Sequence, residues 1–178
     1  KIATKLEGSK DIMKSISKKY KIPTAKFKIC RNKKELKKSI NNFTLPVVVK
    51  ADGLAAGKGV TICKSKSKVF KISDQIFQGK FESSRKILLE EFLQGEEASY
   101  FLIVDKNSFV SFGTAQDHKK VYEKEKGPNT GGMGAYSPAP IIDKELEKKI
   151  ITRIVKPTLK ALKEKGEFYR GFLYVGLM

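Results

Sequence analysis

Histidine occurs once in this chain, cysteine twice, and arginine only four times among 37 basic residues. Each scarcity excludes something. With His118 alone and only Cys30 and Cys63, no His/Cys set has metal-ligand spacing and no disulfide framework can form. Both cysteines sit in strand-like runs beside basic residues, which suits a reducing cytosol. No Ser/His/Asp triad or Cys/His pair assembles. No apolar run approaches the ~20 residues of a membrane span, and Lys1–Lys10 has no apolar core of a signal peptide. The start at Lys1, without methionine, reads as an excised or partial sequence.

Charge is what the chain has in excess, +18 over 178 residues. A basic nucleic-acid-binding module is one reading. Base-edge readout favours the planar fork of arginine, however, and here only Arg31, Arg85, Arg153 and Arg170 supply it. The lysines run from end to end without the interleaved aromatics of a stacking platform. A lysine-rich solvated surface with some attraction for anions accounts for the charge better.

With 40% hydrophobic residues and clear periodic segments, the chain can bury a core, as one domain or two small subdomains. Ser9 caps a helix over 10–20, Pro23 stops it, and 24–30 alternates as a strand. Asn32 caps a helix over 33–40. Strands at 47–50 and 60–63 follow, then a helix from Ser65 or Ser67 through Gln78. Residues 24–78 thus read β-α-β-loop-β-α. Strands are expected at 87–92, 98–104 and 109–115, the last two joined by a turn at Lys106-Asn107. Residues 119–134 lose all periodicity, and such a loop is usually functional or disordered. Asp143 caps one long helix to about Lys165, kinked at Pro157. A buried strand at 168–178 ends the chain.

The centre of this pattern is Val47-Val-Val-Lys50-Ala-Asp-Gly53-Leu-Ala-Ala-Gly57-Lys58-Gly59-Val60. A β-branched run delivers Lys50 at its end, and three glycines with Lys58 follow. Glycine lets backbone N–H groups approach a bound anion closely, and lysine adds positive charge. That combination suits a polyphosphate, although a tight hairpin would use the same glycines. It is not a Walker A loop, since three rather than four residues precede Gly57-Lys58 and Gly59 follows. The expected arrangement is two antiparallel strands joined by a flap over nucleotide phosphates.

Four other places can carry chemistry. Glu90-Glu91-Phe92-Leu93 with Glu96-Glu97 ends a strand in carboxylates, as adenine and ribose recognition would need, or forms a solvated acidic turn. Gln116-Asp117-His118-Lys119 offers an acid–base couple or a structural histidine. Gly127–Gly134 could wrap a small substrate with its amides, or be a mobile surface loop. Lys10, after Gly8-Ser9, stands at a helix start where phosphate binding is favoured.

Taken together, these segments resemble the glycinamide ribonucleotide synthetase (phosphoribosylamine–glycine ligase) family of the ATP-grasp superfamily. The matching stretches are Leu6–Lys10, Lys21–Ala25, Val49–Val60, Glu90–Glu97, Gln116–Lys119, the block Gly127–Pro140, and Gly171–Met178, in family order over essentially the whole chain. The resemblance implies an α+β ATP-grasp fold. Residues 1–22 would be a helix of a central domain, 23–90 the lid, and 91–178 the first part of the larger ATP-grasp subdomain. Lys10 and Lys50 would hold ATP phosphates under the flap of Gly53, Gly57, Lys58 and Gly59. Glu90, Glu91, Phe92 and Leu93 would bind adenine, largely through backbone, and Glu97 the ribose. Asp117, His118 and Lys119, with Gly131, Gly132, Met133 and Gly134, would line the site for glycine and its activated form.

The reaction so implied joins glycine to 5-phosphoribosylamine at the expense of ATP, through a glycyl phosphate, in purine biosynthesis. It needs positioning and charge neutralisation, and no side-chain nucleophile. Family members carry an N-terminal Rossmann-like domain before this region. They also carry a C-terminal Glu-Phe-Asn segment that binds Mg2+, so the metal ligands are expected beyond Met178 and none within the chain. The fragment alone is expected to be inactive, its parent cytoplasmic, with small-molecule partners and neither nucleic acid nor membrane. Fusion to, or association with, other purine-pathway enzymes is compatible with this picture. A different ATP-grasp carboxylate–amine ligase is the nearer alternative, and the block Gly127–Pro140 argues against it.

Overall fold

A computed structural model describes residues 2–53, 59–81, 85–106, 108–123 and 126–178, with backbone alone at 126, 128 and 129. The chain divides into two compact units at Leu93/Gln94.

The first unit begins with two helices, α1 (Ile2–Gly8) and α2 (Lys10–Lys19). Only the second was legible in the sequence. Ser9 separates them and caps α2, its Oγ accepting from Ile12 N at 3.3 Å. Next come β1 (Phe27–Cys30), α3 (Lys33–Ile40), β2 (Val47–Ala51), β3 (Val60–Cys63), α4 (Lys66–Phe77) and β4 (Ile87–Glu91). The caps of α3 and α4 are Asn32 and Ser65, which accept from Glu35 N and Lys68 N. Glu35 in turn accepts from Arg31 N at 2.9 Å, a reciprocal arrangement close to a capping box.

The four strands form an antiparallel sheet in the order β1-β4-β2-β3. Because side chains alternate along a strand, Val47, Val49 and Ala51 of β2 share one face with Ile87 and Leu89 of β4. That face packs on Leu36, Ile40, Val69 and Ile76 of α3 and α4. Cys30 and Cys63 lie in the same core, and burial pushes both thiols above their ordinary range, the inert condition of a structural cysteine. The other face carries Val48, Lys50, Leu88 and Glu90.

The second unit contains β5 (Ala98–Asp105), β6 (Ser108–Asp117), β7 (Lys120–Tyr122), β8 (Lys126–Asn129) and β9 (Ala135–Tyr136). The helices α5 (Lys144–Ile150) and α6 (Lys156–Glu164) and the strand β10 (Arg170–Leu177) complete it. Its main sheet runs β10-β5-β6-β9, antiparallel throughout. Tyr100, Leu102 and Val104 pack with Val175 against Ile150 and Val155. Tyr100 is fully buried, and its hydroxyl donates to Glu147 at 2.7 Å, tying β5 to α5.

Three expectations need correction here. Residues 119–134 are not structureless: β7 and β8 pair as a hairpin, and β9 returns to β6. Gly127 is required there. It sits at φ +86°, and a Cβ would lie 2.6 Å from the Tyr122 ring. The strand β10 is not buried, since Phe172 and Tyr174 point away from the helices and are 65% and 57% exposed. The helix from Asp143 is not one kinked α-helix. Between α5 and α6 lies a π turn, Ile151–Val155, in which Lys156 N reaches back to Ile151 O. The ring of Pro157 would crowd the preceding turn of an α-helix, and the wider π turn just before it gives it room. Asn107 of the expected hairpin turn lies outside the described residues, although β5 and β6 pair as anticipated.

Candidate functional site

In the first unit the strand register assembles the site. Val48 stands opposite Glu90 and Lys50 opposite Leu88, so Lys50 and Glu90 are diagonal neighbours on the face away from α3 and α4. Glu90 Oε2 pairs with Lys50 Nζ, and Glu90 Oε1 with Lys14 Nζ from α2. Lys14 also donates to Thr24 Oγ1 and stands 5.4 Å from the ring centre of Phe27, which lies opposite Glu90 on β1. Glu90 and Lys14 are almost wholly buried, at 4% and 3% exposed. Lys50 keeps 28% of its side chain accessible.

The start of the glycine loop is fastened beside this cluster. Ala51 N donates to Gly59 O at 2.8 Å, and Asp52 N to Lys86 O at 3.1 Å. The Asp52 carboxylate, 4% exposed, accepts from Ser9 Oγ at 3.3 Å and from Asp11 N at 3.1 Å, with Lys86 Nζ 3.7 Å away. It satisfies the N-terminus of α2 from a distant part of the chain. Lys86 also contacts Asp11 at 3.2 Å. Gly53, at φ +89°, offers its carbonyl to Lys10 Nζ at 2.9 Å. Burial lowers the affinity of Lys10 for its proton, partly offset by Asp52, while Lys50 lowers it further. Two lysines, Lys10 and Lys50, therefore stand at the base of the loop. Gly57 and Lys58 lie outside the described residues.

Asp52→Ala is expected to destabilise the first unit by about 2 kcal/mol, because a part-buried helix-end amide and the Ser9 hydroxyl lose their acceptor. Chemical denaturation would measure it, and a change below about 0.5 kcal/mol would show that the cap is not needed.

Beyond Glu91 the ladder of β4 ends, and Phe92 and Leu93 continue outside the sheet, partly exposed. The amide of Glu91 is occupied, donating to Lys26 O at 2.9 Å, and its carboxylate accepts from Lys26 N at 2.6 Å.

In the second unit Lys119 Nζ lies 2.7 Å from Glu97 and 3.6 Å from Asp117. The hydrogen bond to Glu97 raises its proton affinity above the ordinary lysine range. His118 is held by its backbone, donating to Gly134 O and accepting from Met133 N at 2.6 Å, and its ring lies 5.4 Å from that of Tyr136. Tyr136 OH donates to Gln116, which donates to Glu96 at 3.3 Å. Thr130 Oγ1 accepts from Gly132 N and donates to Lys119 O. The strand end Gln116–Lys119, the Gly131–Gly134 segment and Glu97 are thus brought together within this unit.

Sequence reasoning missed Lys14 and the cap formed by Asp52. Lys14 stands one helical turn from Lys10, at the i, i+4 spacing that puts both on one face. That spacing was the available signal.

Comparison with solved structures places the chain on that of phosphoribosylamine–glycine ligase from Thermotoga maritima, with TM-score 0.89 and 39% identity over 97% of this chain and 44% of that one. The biotin carboxylase domain of the 2-oxoglutarate carboxylase of Hydrogenobacter thermophilus, solved with MgADP, shares the fold at TM-score 0.72 and 18% identity, covering 97% of this chain and 37% of the other. Among curated sequences, the chloroplastic phosphoribosylamine–glycine ligase of Arabidopsis thaliana is 47% identical over 99% of this chain and 34% of its own length. The chain therefore spans less than half of each of these relatives. Residues 8–178 match the family described as phosphoribosylglycinamide synthetase, ATP-grasp (A) domain, and the chain belongs to that family.

Proposed function

We propose that this chain is the nucleotide-gripping part of an ATP-dependent ligase that joins glycine to 5-phosphoribosylamine. The observation that carries the reading is the pair of lysines, Lys10 and Lys50, converging on the base of a glycine loop in a chain of this family. Lys10 and Lys50 would neutralise the ATP phosphates. Phe92 and Leu93, past the end of the β4 ladder, would offer backbone groups to adenine beside Glu90 and Glu91, and Glu97 would accept from the ribose. Asp117, His118, Lys119 and Gly131–Gly134 would hold glycine.

A glycine carboxylate oxygen then attacks the γ-phosphorus and ADP departs. The nitrogen of phosphoribosylamine attacks the acyl carbon, phosphate leaves, and the amide forms. The chain's residues orient these groups and balance charge. Among the described residues no three His, Cys, Asp or Glu side chains gather as a metal site. Asp52 is taken up by the end of α2, and Asp117 lies beside Lys119. Both carboxylates are thus already engaged, and the described residues present no assembled protein set for a magnesium ion. No described helix is long and apolar enough to cross a membrane. The proposed compartment is the cytoplasm, although the Arabidopsis relative is named chloroplastic.

Two experiments test this. Titration of the chain should give ATP binding at least about tenfold tighter than GTP, a difference of ~1.4 kcal/mol, and equal affinities would overturn the adenine assignment. Residues 8–178 grafted in place of the matching segment of the Thermotoga ligase should release phosphate only with both glycine and 5-phosphoribosylamine present. Release with another acid or amine would point to a different ligase.

The Lys10 amine supplies a pH prediction. Its folded-state pKa lies below the ordinary 10.5, chiefly through burial. Between that lowered value and 10.5 the unfolded chain binds more protons, so this lysine opposes folding at neutral pH and the opposition fades as pH rises through the window. A bound phosphate would restore the proton. ATP binding is therefore expected to take up protons, and to weaken, as pH rises into the window. Calorimetry in buffers of different ionisation enthalpy would register the uptake, which Lys10→Met should abolish.

A further inference from the structure

Lys14 has no part in the proposed phosphate grip, yet it is a lysine withdrawn almost completely from water. Its location explains why. A single buried carboxylate, Glu90, is shared oxygen by oxygen between Lys14 and Lys50. The trio carries one negative and two positive charges. Lys14 is locked, with Thr24 Oγ1 and the Phe27 ring as its other neighbours. Lys50 is the accessible member.

We propose that Lys14 is a positioning residue that acts through Glu90 to keep Lys50 available for an anionic ligand. If Lys50 were the sole counter-ion of Glu90, moving its amine onto a phosphate would strand a buried carboxylate, which costs several kcal/mol. With Lys14 in place the carboxylate stays compensated after Lys50 has left. Lys50 is then held loosely, aligned by Glu90 before the ligand arrives and surrendered when it does. The i, i+4 spacing of Lys10 and Lys14 gives one helix both a lysine for the ligand and a lysine that frees another. This inference rests on the reading of Lys50 as a phosphate ligand.

The test has a ligand-free arm and a ligand arm. Trace acetylation of the chain, quantified by mass spectrometry, reports how tightly the Lys50 amine is paired. Lys14→Met should slow Lys50 labelling by about threefold to tenfold, because the attraction of Glu90 is no longer divided. Glu90→Gln should speed it, and the double variant Lys14→Met/Glu90→Gln should label at least as fast as wild type. A merely structural Lys14 would leave Lys50 labelling unchanged or increase it. The Glu90→Gln arm stands even if Lys14→Met folds poorly, because unchanged Lys50 labelling there would deny the pairing itself.

In the ligand arm, binding of ATP is divided by binding of adenosine, so that damage to the adenine contacts cancels. Lys14→Met should lower this preference by about tenfold, and the double variant should recover most of it. If Lys50→Met loses the preference and Lys14→Met keeps it, the role of Lys14 is overturned alone. If Lys50→Met keeps the preference, the phosphate reading of Lys50 falls instead, and the labelling arm still decides whether Lys14 sets the pairing of Lys50.

Discussion

Glu90→Ala is expected to destabilise the first unit by about 3–5 kcal/mol, the range observed when one partner of a buried ion pair is removed. The substitution strands Lys14, which is 3% exposed and whose other neighbours, Thr24 Oγ1 and the Phe27 ring, carry no formal charge. The contact with the Phe27 ring is already made beside Glu90, so it cannot replace the lost carboxylate. Lys50 is less affected, since its amine can turn to water. Glu90→Gln keeps an acceptor near Lys14 and should lose less than Glu90→Ala. Lys14→Met/Glu90→Gln, which removes both charges, should be milder again than Glu90→Ala. Urea unfolding of the three variants gives the order directly. A loss below about 1 kcal/mol for Glu90→Ala would place the cluster with solvent-screened surface pairs instead.

Lys50→Met should weaken ATP binding by about 10–100-fold while changing adenosine binding less than about threefold, since a charged hydrogen bond to phosphate contributes about 1.5–3 kcal/mol. The expectation follows from where the lysine is anchored. Lys50 belongs to β2, paired on both sides with β3 and β4, and its stem is aligned by Glu90. Little conformational freedom is then lost on binding, so most of the interaction energy survives as affinity. Titrations at two salt concentrations separate this local effect from general attraction to a basic chain, because only the latter fades strongly with screening. Equal losses for ATP and adenosine would mean that Lys50 supports the fold rather than the phosphates.

The parts of this fold that could be read beforehand are those determined within a few residues. Ser9, Asn32, Ser65 and Asp143 each cap a helix at the expected position, because a side-chain oxygen reaches an amide three residues on. The β2–β3 pairing was legible from two β-branched runs around a glycine loop. What escaped notice depends on distant partners. The acceptors of the α2 N-terminus include Asp52, and the counter-ions of Glu90 come from residues 14 and 50. No local pattern marks either. The strand β8, Lys-Gly-Pro-Asn, has poor strand propensity and is imposed by its pairing with β7. The expected burial of β10 fails because alternation gives one side to the helices and leaves Phe172 and Tyr174 on the other.

The π turn at Ile151–Val155 uncouples the number of residues in the α5–α6 helix from its length in space. A π turn accommodates about one residue more than an α turn, and one residue rotates an α-helix by about 100°. Here that extra residue is absorbed locally, so Ile150 before the turn and Val155 within it both reach the same core. Deleting one residue within 151–155, together with Pro157→Ala, is then equivalent to straightening the turn, and Leu159 and Leu162 would keep their orientation. The same deletion inside α6, at Lys160, would move Ala161 to the exposed position of Lys160 and drive Lys163 into the buried position of Leu162. In a lineage that gains and loses residues, this turn is the point where the helix can change length without changing face.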